Sequence, residues 1–451
     1  MSTVAPLPPG PRYSNPLQFA KELRPDPLEY YRRMVKEYGE FGCVHTWPRK
    51  IVWALRPEHF RYLMVENAED YPKGNAFDRL KAIGGDGLFF SDGELWKKQR
   101  RLIMPSFRRS AIKKYVPHMT AGASTFVDRM EARVGDPTFD IVPEMATVAM
   151  DIACRAFFGD DIVERANTLH RALWDTSEWV DHAMTNPLAP PLWVPTAINR
   201  KTKRAIATMY AGIDELIRDN RQRGDTDNVL ARLNHLVAGG EMSEQQLRDE
   251  MWTLLNAGHE TTATTLGFAF ALLSKHPQAL ERVQKEADSL GGRTAIFEDR
   301  PQLGFTYRVV LETLRLYPPA WSTSREASVD HIVDGFLIPK KALLQPLLYQ
   351  TLTHPDIWEN PETFDPDRFL TERSRGRAHE AYPPFGLGGR RCIGEQFALV
   401  EATMVLATFA QRLEFRMEPD FEVVAGIMGF GPIRAMSGIE MTVHRRAGRV
   451  T

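Results

Sequence analysis

Cysteine is scarce in this chain: Cys43, Cys154 and Cys392 are the three in 451 residues, and no two are close in sequence. An odd, scattered set excludes a disulfide framework and fits a reducing compartment. Excess charge of one sign is missing too. A net charge of -1 gives no global attraction to nucleic acid or acidic lipid, so a charged docking surface must be local. No apolar run approaches the ~20 residues that span a bilayer; the longest, Leu266 to Leu273, lies inside a helical pattern. The first ten residues lack a basic region followed by an apolar core, which argues against a signal peptide. Repeats, low-complexity tracts and obvious linkers are also absent. A hydrophobic content of 43% against 25% charged residues leaves ample material for a core. These features predict a soluble, cytoplasmic, monomeric protein that binds no nucleic acid and has no transmembrane anchor.

The chain reads as a single domain over 1–451, mainly α with a small β-rich region (α+β). Residues 1–20 are a proline-rich segment, extended on the surface. Two short strands, Cys43 to Trp47 and Ile51 to Leu55, flank Pro48-Arg49-Lys50 as a hairpin. Helical periodicity dominates from Pro57 to about Tyr317. Further strands are predicted at Ile332 to Pro339 and Glu440 to Val443, with both chain ends contributing to one small sheet. The segment Asn186 to Thr196 holds four prolines and must interrupt its flanking helices. It is either a loop packed on the body or a lid over a substrate entrance that touches a membrane or a lipid-like substrate.

Cys43 and Cys154 read as small buried hydrophobes. Cys392 differs because of its frame, Phe385-Gly386-Leu387-Gly388-Gly389-Arg390-Arg391-Cys392-Ile393-Gly394. Glycines before and after the cysteine let the backbone pass close to something flat. The following Phe397, Val400, Met404, Val405 and Leu406 predict a long amphipathic or buried helix. Cys392 then lies at its N-terminal end, where the macrodipole and free N–H groups stabilise a thiolate. The complete spacing Phe-x-x-Gly-x-Arg-x-Cys-x-Gly reads as a haem-iron site with a thiolate donor, which commits the iron to cleaving O–O bonds. Arg390 can donate to a carboxylate such as a haem propionate. Competing motifs fail on spacing. A dinucleotide fingerprint from Gly386 needs glycine where Arg391 stands, C-x-x-C-H is absent, and no further Cys or His is near enough for zinc.

A second motif lies on a predicted long helix. Ser243 fits an N-cap with Gln246 completing a capping box, and a helical pattern runs about 32 residues to Lys275, ~50 Å at 1.5 Å per residue. At its centre stands Ala257-Gly258-His259-Glu260-Thr261-Thr262. Gly258 and two threonines weaken the helix, and a local distortion there is expected to open a groove. The Thr261 hydroxyl can bond back to the preceding turn or to a ligand. An alcohol–acid pair, Thr261 with Glu260, suits proton delivery during O–O cleavage. His259-Glu260 does not extend to a zinc-protease motif, since Ala263 stands where the second histidine is needed. His259 is expected to be only a polar neighbour.

With these residues the chain resembles the cytochrome P-450 family of haem-thiolate monooxygenases, soluble bacterial type, and its motifs cover almost the whole chain. Glu312-Thr313-Leu314-Arg315 matches the family's E-x-x-R, and Pro366-Asp367-Arg368-Phe369 its P-x-R-F-like element. The resemblance implies the family fold: a large helical domain with a long central helix over the haem, beside a small β-rich region. It implies haem b (iron protoporphyrin IX) on Cys392, with O2 as co-substrate, and a buried structural triad of Glu312, Arg315 and Arg368. Thr261 would face the oxygen-binding side, Glu260 would connect to solvent, and Ala257 would leave room above the haem. Trp96 and Arg100, one turn apart, and Arg325 would face the propionates. The Trp form resembles fatty-acid-hydroxylating and eukaryotic-type members. Pocket walls fall on Phe77, Leu80, Ile83, Leu88 and Phe89, on Leu254, on Ala320, Trp321 and the residues to Ser324, and on the turn at Phe430 to Ile433. They are mostly apolar, as suits a fatty acid or terpenoid. Arg79 or Lys81 could engage a carboxylate, though exposure is the simpler expectation. Lys97, Lys98, Arg101, Arg108, Arg109, Lys113 and Lys114 form a basic face that the resemblance places on the proximal side. An acidic ferredoxin or flavodoxin-like electron donor would dock there, since the chain carries no flavin or nicotinamide module of its own. The alternatives are a peroxygenase or haem-thiolate isomerase, which typically lack the acid–threonine pair, and a non-enzymatic haem-based ligand sensor.

Overall fold

A computed structural model of the chain describes residues 5–74, 77–159, 163–186, 188–224, 227–427 and 431–446. Its longest helix is Glu244–Lys275, with the predicted limits. The Ser243 side chain accepts from the Gln246 N–H, the N-cap bond of the predicted capping box. The helix runs unbroken through Gly258, where a local distortion was expected. Its second half is buried on nearly every side, which holds a helical conformation that local propensity disfavours. Against it lies Ile141–Phe158, itself buried almost throughout. The helix Glu395–Arg412, just after Cys392, is likewise apolar on all sides and sits inside the molecule. One hydrophobic core links these helices from Tyr13 to Val443, and a smaller one lies under the N-terminal sheet.

The hairpin forms as Phe41–His45 and Lys50–Ala54, with Cys43 opposite Val52. Its sheet is completed by Leu343–Pro346 in parallel and by Arg325–Glu326. The last strand, Glu440–Arg445, belongs to a different sheet, with Leu413–Met417 and Phe139–Asp140. The two chain ends therefore do not share one sheet as expected. Each completes the sheet nearest its own end of the core. The strand predicted at Ile332 to Pro339 is a tight hairpin, His331–Val333 with Phe336–Ile338. Its turn takes Asp334 and Gly335 through positive φ, 50° and 79°.

The proline-rich segment is more than a surface strand. The Cys43 and His45 N–H groups donate to the carbonyls of Pro9 and Pro11, and the Tyr13 N–H to that of His45. The segment thus runs along the outer edge of Phe41–His45. Among the described residues, no helix is long and apolar enough to cross a membrane.

Candidate active site

The cysteine loop closes on itself. The Cys392 N–H donates to the Phe385 carbonyl at 2.9 Å, and the Gly386 N–H to that of Pro383 at 2.9 Å. Gly388 has φ +65°, and a Cβ there would fall on the Met64 carbonyl oxygen, so only glycine fits. Gly394 caps the Glu395–Arg412 helix, and a Cβ on it would lie 3.9 Å from the Cys392 sulfur. Cys392 is exposed, while Cys43 and Cys154 are buried. Dense protein on its remaining sides pushes the thiol up, and Glu395 adds to this. The Gly394 and Glu395 N–H groups and Arg100 oppose it. The helix start pulls towards a thiolate as predicted, but burial outweighs it and the thiol stays raised.

Beside the sulfur, cations gather in excess. On the helix Gly93–Ile103, the Trp96 ring lies 5.7 Å from the Arg100 guanidinium and 3.9 Å from that of Arg390. Arg390 donates to the Ser91 carbonyl and pairs with Asp92. Arg325 is 7% exposed, donates to Thr323 and to the Ser324 carbonyl, and has no ion pair among the described residues. Burial, then the neighbouring Arg390, lowers its pKa to about 10. Lys73, which sequence reasoning missed, joins this group. It lies between the Phe77 and Phe89 rings at 5.0 and 4.6 Å, and its ammonium bonds the Phe89 carbonyl. Burial, then Arg390 and Arg325, drives its pKa well down. Among the described residues, Asp92 is the one carboxylate that acts on Lys73, Arg325 and Arg390. Buried positive charge in such excess asks for an anionic ligand. The two carboxylates of a haem meet that demand beside an accessible thiol, so the residues present fit the group. No motif marks Lys73, whose partners come from distant segments.

On the central helix, Ala257 is exposed and Thr261 part-exposed. The Thr261 hydroxyl donates to the Ala257 carbonyl at 2.8 Å. Glu260 pairs with Arg434 at 2.5 Å rather than opening freely to solvent. Burial raises the Glu260 pKa and Arg434 opposes the rise. His259 is not just a polar neighbour: its Nε2 lies 2.9 Å from Nδ1 of His170. Burial drives its pKa down to about 3, so the ring is neutral. Glu401, also unmarked in the sequence, is a buried carboxyl on the helix after Cys392. Burial pushes its pKa well above the usual range, and Thr262 opposes this.

Behind the cysteine loop the triad is complete. Glu312 receives two bonds from Arg315, both 2.8 Å, one from Arg368 at 2.9 Å and one from the Asp365 N–H at 3.0 Å. Arg315 also donates to the carbonyls of Leu352 and Thr363, and Arg368 to those of Glu359, Asn360 and Thr363. Each guanidinium thus makes four hydrogen bonds and Glu312 accepts four, all within the protein.

The expected pocket walls divide. Phe77 packs edge-on against Phe89, 6.0 Å apart, and Leu88 and Leu254 are buried. Ala320 is exposed, but Trp321 turns into the core, 6.0 Å from Tyr31. Phe430 lies outside the described residues. The wall segment 85–88 is fastened to the central helix by two carboxyls. Asp249 accepts from the Asp86 N–H and from Tyr210, and Glu250 from the Leu88 N–H. Arg79 is not free for a substrate, since it bonds the carbonyls of Ala183 and Ala189, and Lys81 pairs with Asp86 and Asp78. In the segment predicted as a loop or lid, Asn199 pins residues 191–194 by donating to the Pro191 and Val194 carbonyls. Leu188 and Trp193 nevertheless stand 74% and 75% exposed.

The basic face is partly neutralised. Lys97 meets Glu94 and Glu69, Lys113 meets Glu298, and Lys114 meets Asp227. Lys98, Arg101 and Arg108 have no ion pair among the described residues. Arg109 and Arg300 flank the Phe297 ring in a groove of about 1000 Å³ reaching Thr403 on the helix after Cys392.

Known proteins resemble this chain over most of its length. The cytochrome P-450 family profile matches residues 4–425. A cyclooctat-9-en-7-ol 5-monooxygenase of Streptomyces melanosporofaciens is 34% identical over 87% of this chain and 86% of its own. A pentalenene oxygenase of Streptomyces avermitilis is 29% identical over 87% and 88%. Among solved structures, the cytochrome P450DA haem domain superposes with a TM-score of 0.85 at 26% identity, covering 98% of each chain.

Proposed function

Since the chain belongs to the cytochrome P-450 family and is an oxygen-inserting haem monooxygenase acting on apolar small molecules, we propose which residues do this work and on which substrates. Cys392 ligates the iron of a haem b, and Arg100, Arg325, Arg390 and Lys73 hold its carboxylates. That group, bound through a thiolate, supplies the centre at which O2 is cleaved. Thr261 and Glu260 do the proton work: Glu260 exchanges protons with the outside, and Thr261 passes them on through its hydroxyl. Ala257 keeps the space beside them open. The observation that carries this reading is the meeting of an exposed thiol with unbalanced buried cations.

The substrate class we favour is a terpenoid hydrocarbon or alcohol, hydroxylated at a C–H bond or oxidised at a double bond. Two relatives are named for such compounds, and the walls at Phe77, Leu88, Phe89 and Leu254 are apolar. Electrons come from an acidic ferredoxin or flavodoxin-like protein at the unpaired cations Lys98, Arg101 and Arg108.

The test has two stages. The reduced protein under carbon monoxide should show its Soret band at the thiolate position, and a band typical of histidine ligation would overturn the site. A panel of cyclic terpenoids and fatty acids is then screened for substrate-induced Soret shifts, followed by product identification. Shifts and products from fatty acids alone would overturn the terpenoid assignment.

A further inference from the structure

We propose that Glu250 is a positioning residue for the substrate wall, seating residues 85–88 on the central helix and so fixing where Leu88 and Phe89 meet the substrate. This rests on the reading of Leu88 and Phe89 as pocket walls. Glu250, Leu254, Ala257 and Thr261 share one face of the helix Glu244–Lys275. Glu250 stands two turns before Ala257, about 10 Å along the axis. The wall sequence Gly85-Asp86-Gly87-Leu88 lets the chain lie flush on that helix. A Cβ on Gly85 would fall on the Asp249 carboxyl, and one on Gly87 on the Thr253 hydroxyl. Three polar groups then fasten the seat. Asp249 accepts from the Asp86 N–H at 3.0 Å and Glu250 from the Leu88 N–H at 2.9 Å, while the Gln99 amide donates to the Asp86 carbonyl at 2.5 Å.

The two carboxyls differ in what answers them. Asp249 also accepts from Tyr210 and Gln245, three bonds in all. Glu250 is fully buried and accepts from the Leu88 N–H, with the Gln99 side chain reaching it. Burial raises its pKa to about 8, so the seat forms around a neutral acid. Among the described residues no cation acts on it. Asp249, on its own helix, adds to the rise. On the wall, Asp86 is exposed and paired with Lys81. The helix Gly93–Ile103 offers the neutral Gln99, and the helix Ala197–Arg223 offers Tyr210, kept neutral by burial. An ionised Glu250 would be a buried anion without a counter-charge, which is costly. The cover that can yield is the wall itself, since Asp86 reaches the surface and Phe89 is 48% exposed. Ionisation therefore draws water under the wall and displaces Leu88.

Two iron ligands of different reach test this in the ferric haem protein. Imidazole fills only the space next to the iron, whereas phenylimidazole also presses on the pocket wall. Dissociation constants for both are read from Soret shifts, from mildly acidic to mildly alkaline pH, and their ratio cancels changes at the iron. The preference for phenylimidazole should fall with a midpoint near pH 8. The expected loss is about two- to tenfold, the range for one hydrogen bond. Glu250→Gln keeps an acceptor for the Leu88 N–H and cannot ionise, so it should hold the parent's low-pH preference throughout. Glu250→Ala should show a reduced preference at every pH. If that variant fails to take up haem, the parent and Glu250→Gln still decide the matter. A parent preference independent of pH, or one that still falls in Glu250→Gln, overturns the proposal. Phe89→Ala should lower the preference whatever Glu250 does. An unchanged value there overturns the wall reading, and this proposal with it.

Discussion

At the scale of single residues, the site depends on charges whose partners lie inside the protein. Glu312 is the carboxylate that pairs with both buried guanidiniums, so Glu312→Ala removes the counter-charge of each. A broken buried pair costs about 3–5 kcal/mol, and we expect that variant to give little haem-loaded protein, measured as the Soret to 280 nm absorbance ratio. Recovery equal to the parent would refute a bracing role. Thr261→Ala should behave oppositely: haem content stays intact while reducing equivalents are diverted from product to peroxide, read from product formed per electron consumed. Residues of this kind divide sharply in legibility. Cys392, Glu312 and Thr261 stand in short motifs whose spacing is itself chemical information. Lys73, Arg434 and Glu401 do not. Lys73 acquires its meaning from Arg325 and Arg390, and Arg434 from Glu260, partners far off in the chain that only the fold brings close.

At the scale of elements, the central helix was readable to its ends because caps and periodicity are local signals. The sheets were not, since strand pairing is decided by which edges the packed helices leave available, and the last strand found Leu413–Met417 instead of the N-terminal hairpin. The central helix also carries a pH response. Burial raises the Glu250 pKa to about 8, while the Leu88 N–H it accepts pulls the other way. In the unfolded chain a glutamate titrates near 4.3. Between about pH 4.3 and 8 the folded state therefore holds a proton that the unfolded state has lost. Stability falls as pH rises through that window, by at most ~1.4 kcal/mol per unit, and levels off above it. Urea unfolding at a series of pH values should show this decline, and Glu250→Gln should flatten it. A slope unaffected by the substitution would assign the decline to other groups.

At the scale of the whole molecule, a nearly neutral protein concentrates its usable positive charge where ion pairs do not consume it. Lys98→Gln with Arg101→Gln should slow reduction by an acidic donor at low salt and weaken its salt dependence. Lys97→Gln, which removes a cation already engaged by Glu94 and Glu69, should do much less. Stopped-flow reduction across ionic strengths distinguishes the two; equal effects would show that local pairing does not matter. The proline-rich segment has a consequence of another kind. By occupying the outer side of Phe41–His45 it blunts a free sheet edge, and its prolines offer few N–H groups for a further strand to bond. A chain trimmed of its first fourteen residues would retain all the chemistry described above, yet it would expose a bare template for intermolecular β-pairing. Its loss would be felt as aggregation on storage rather than as slower turnover.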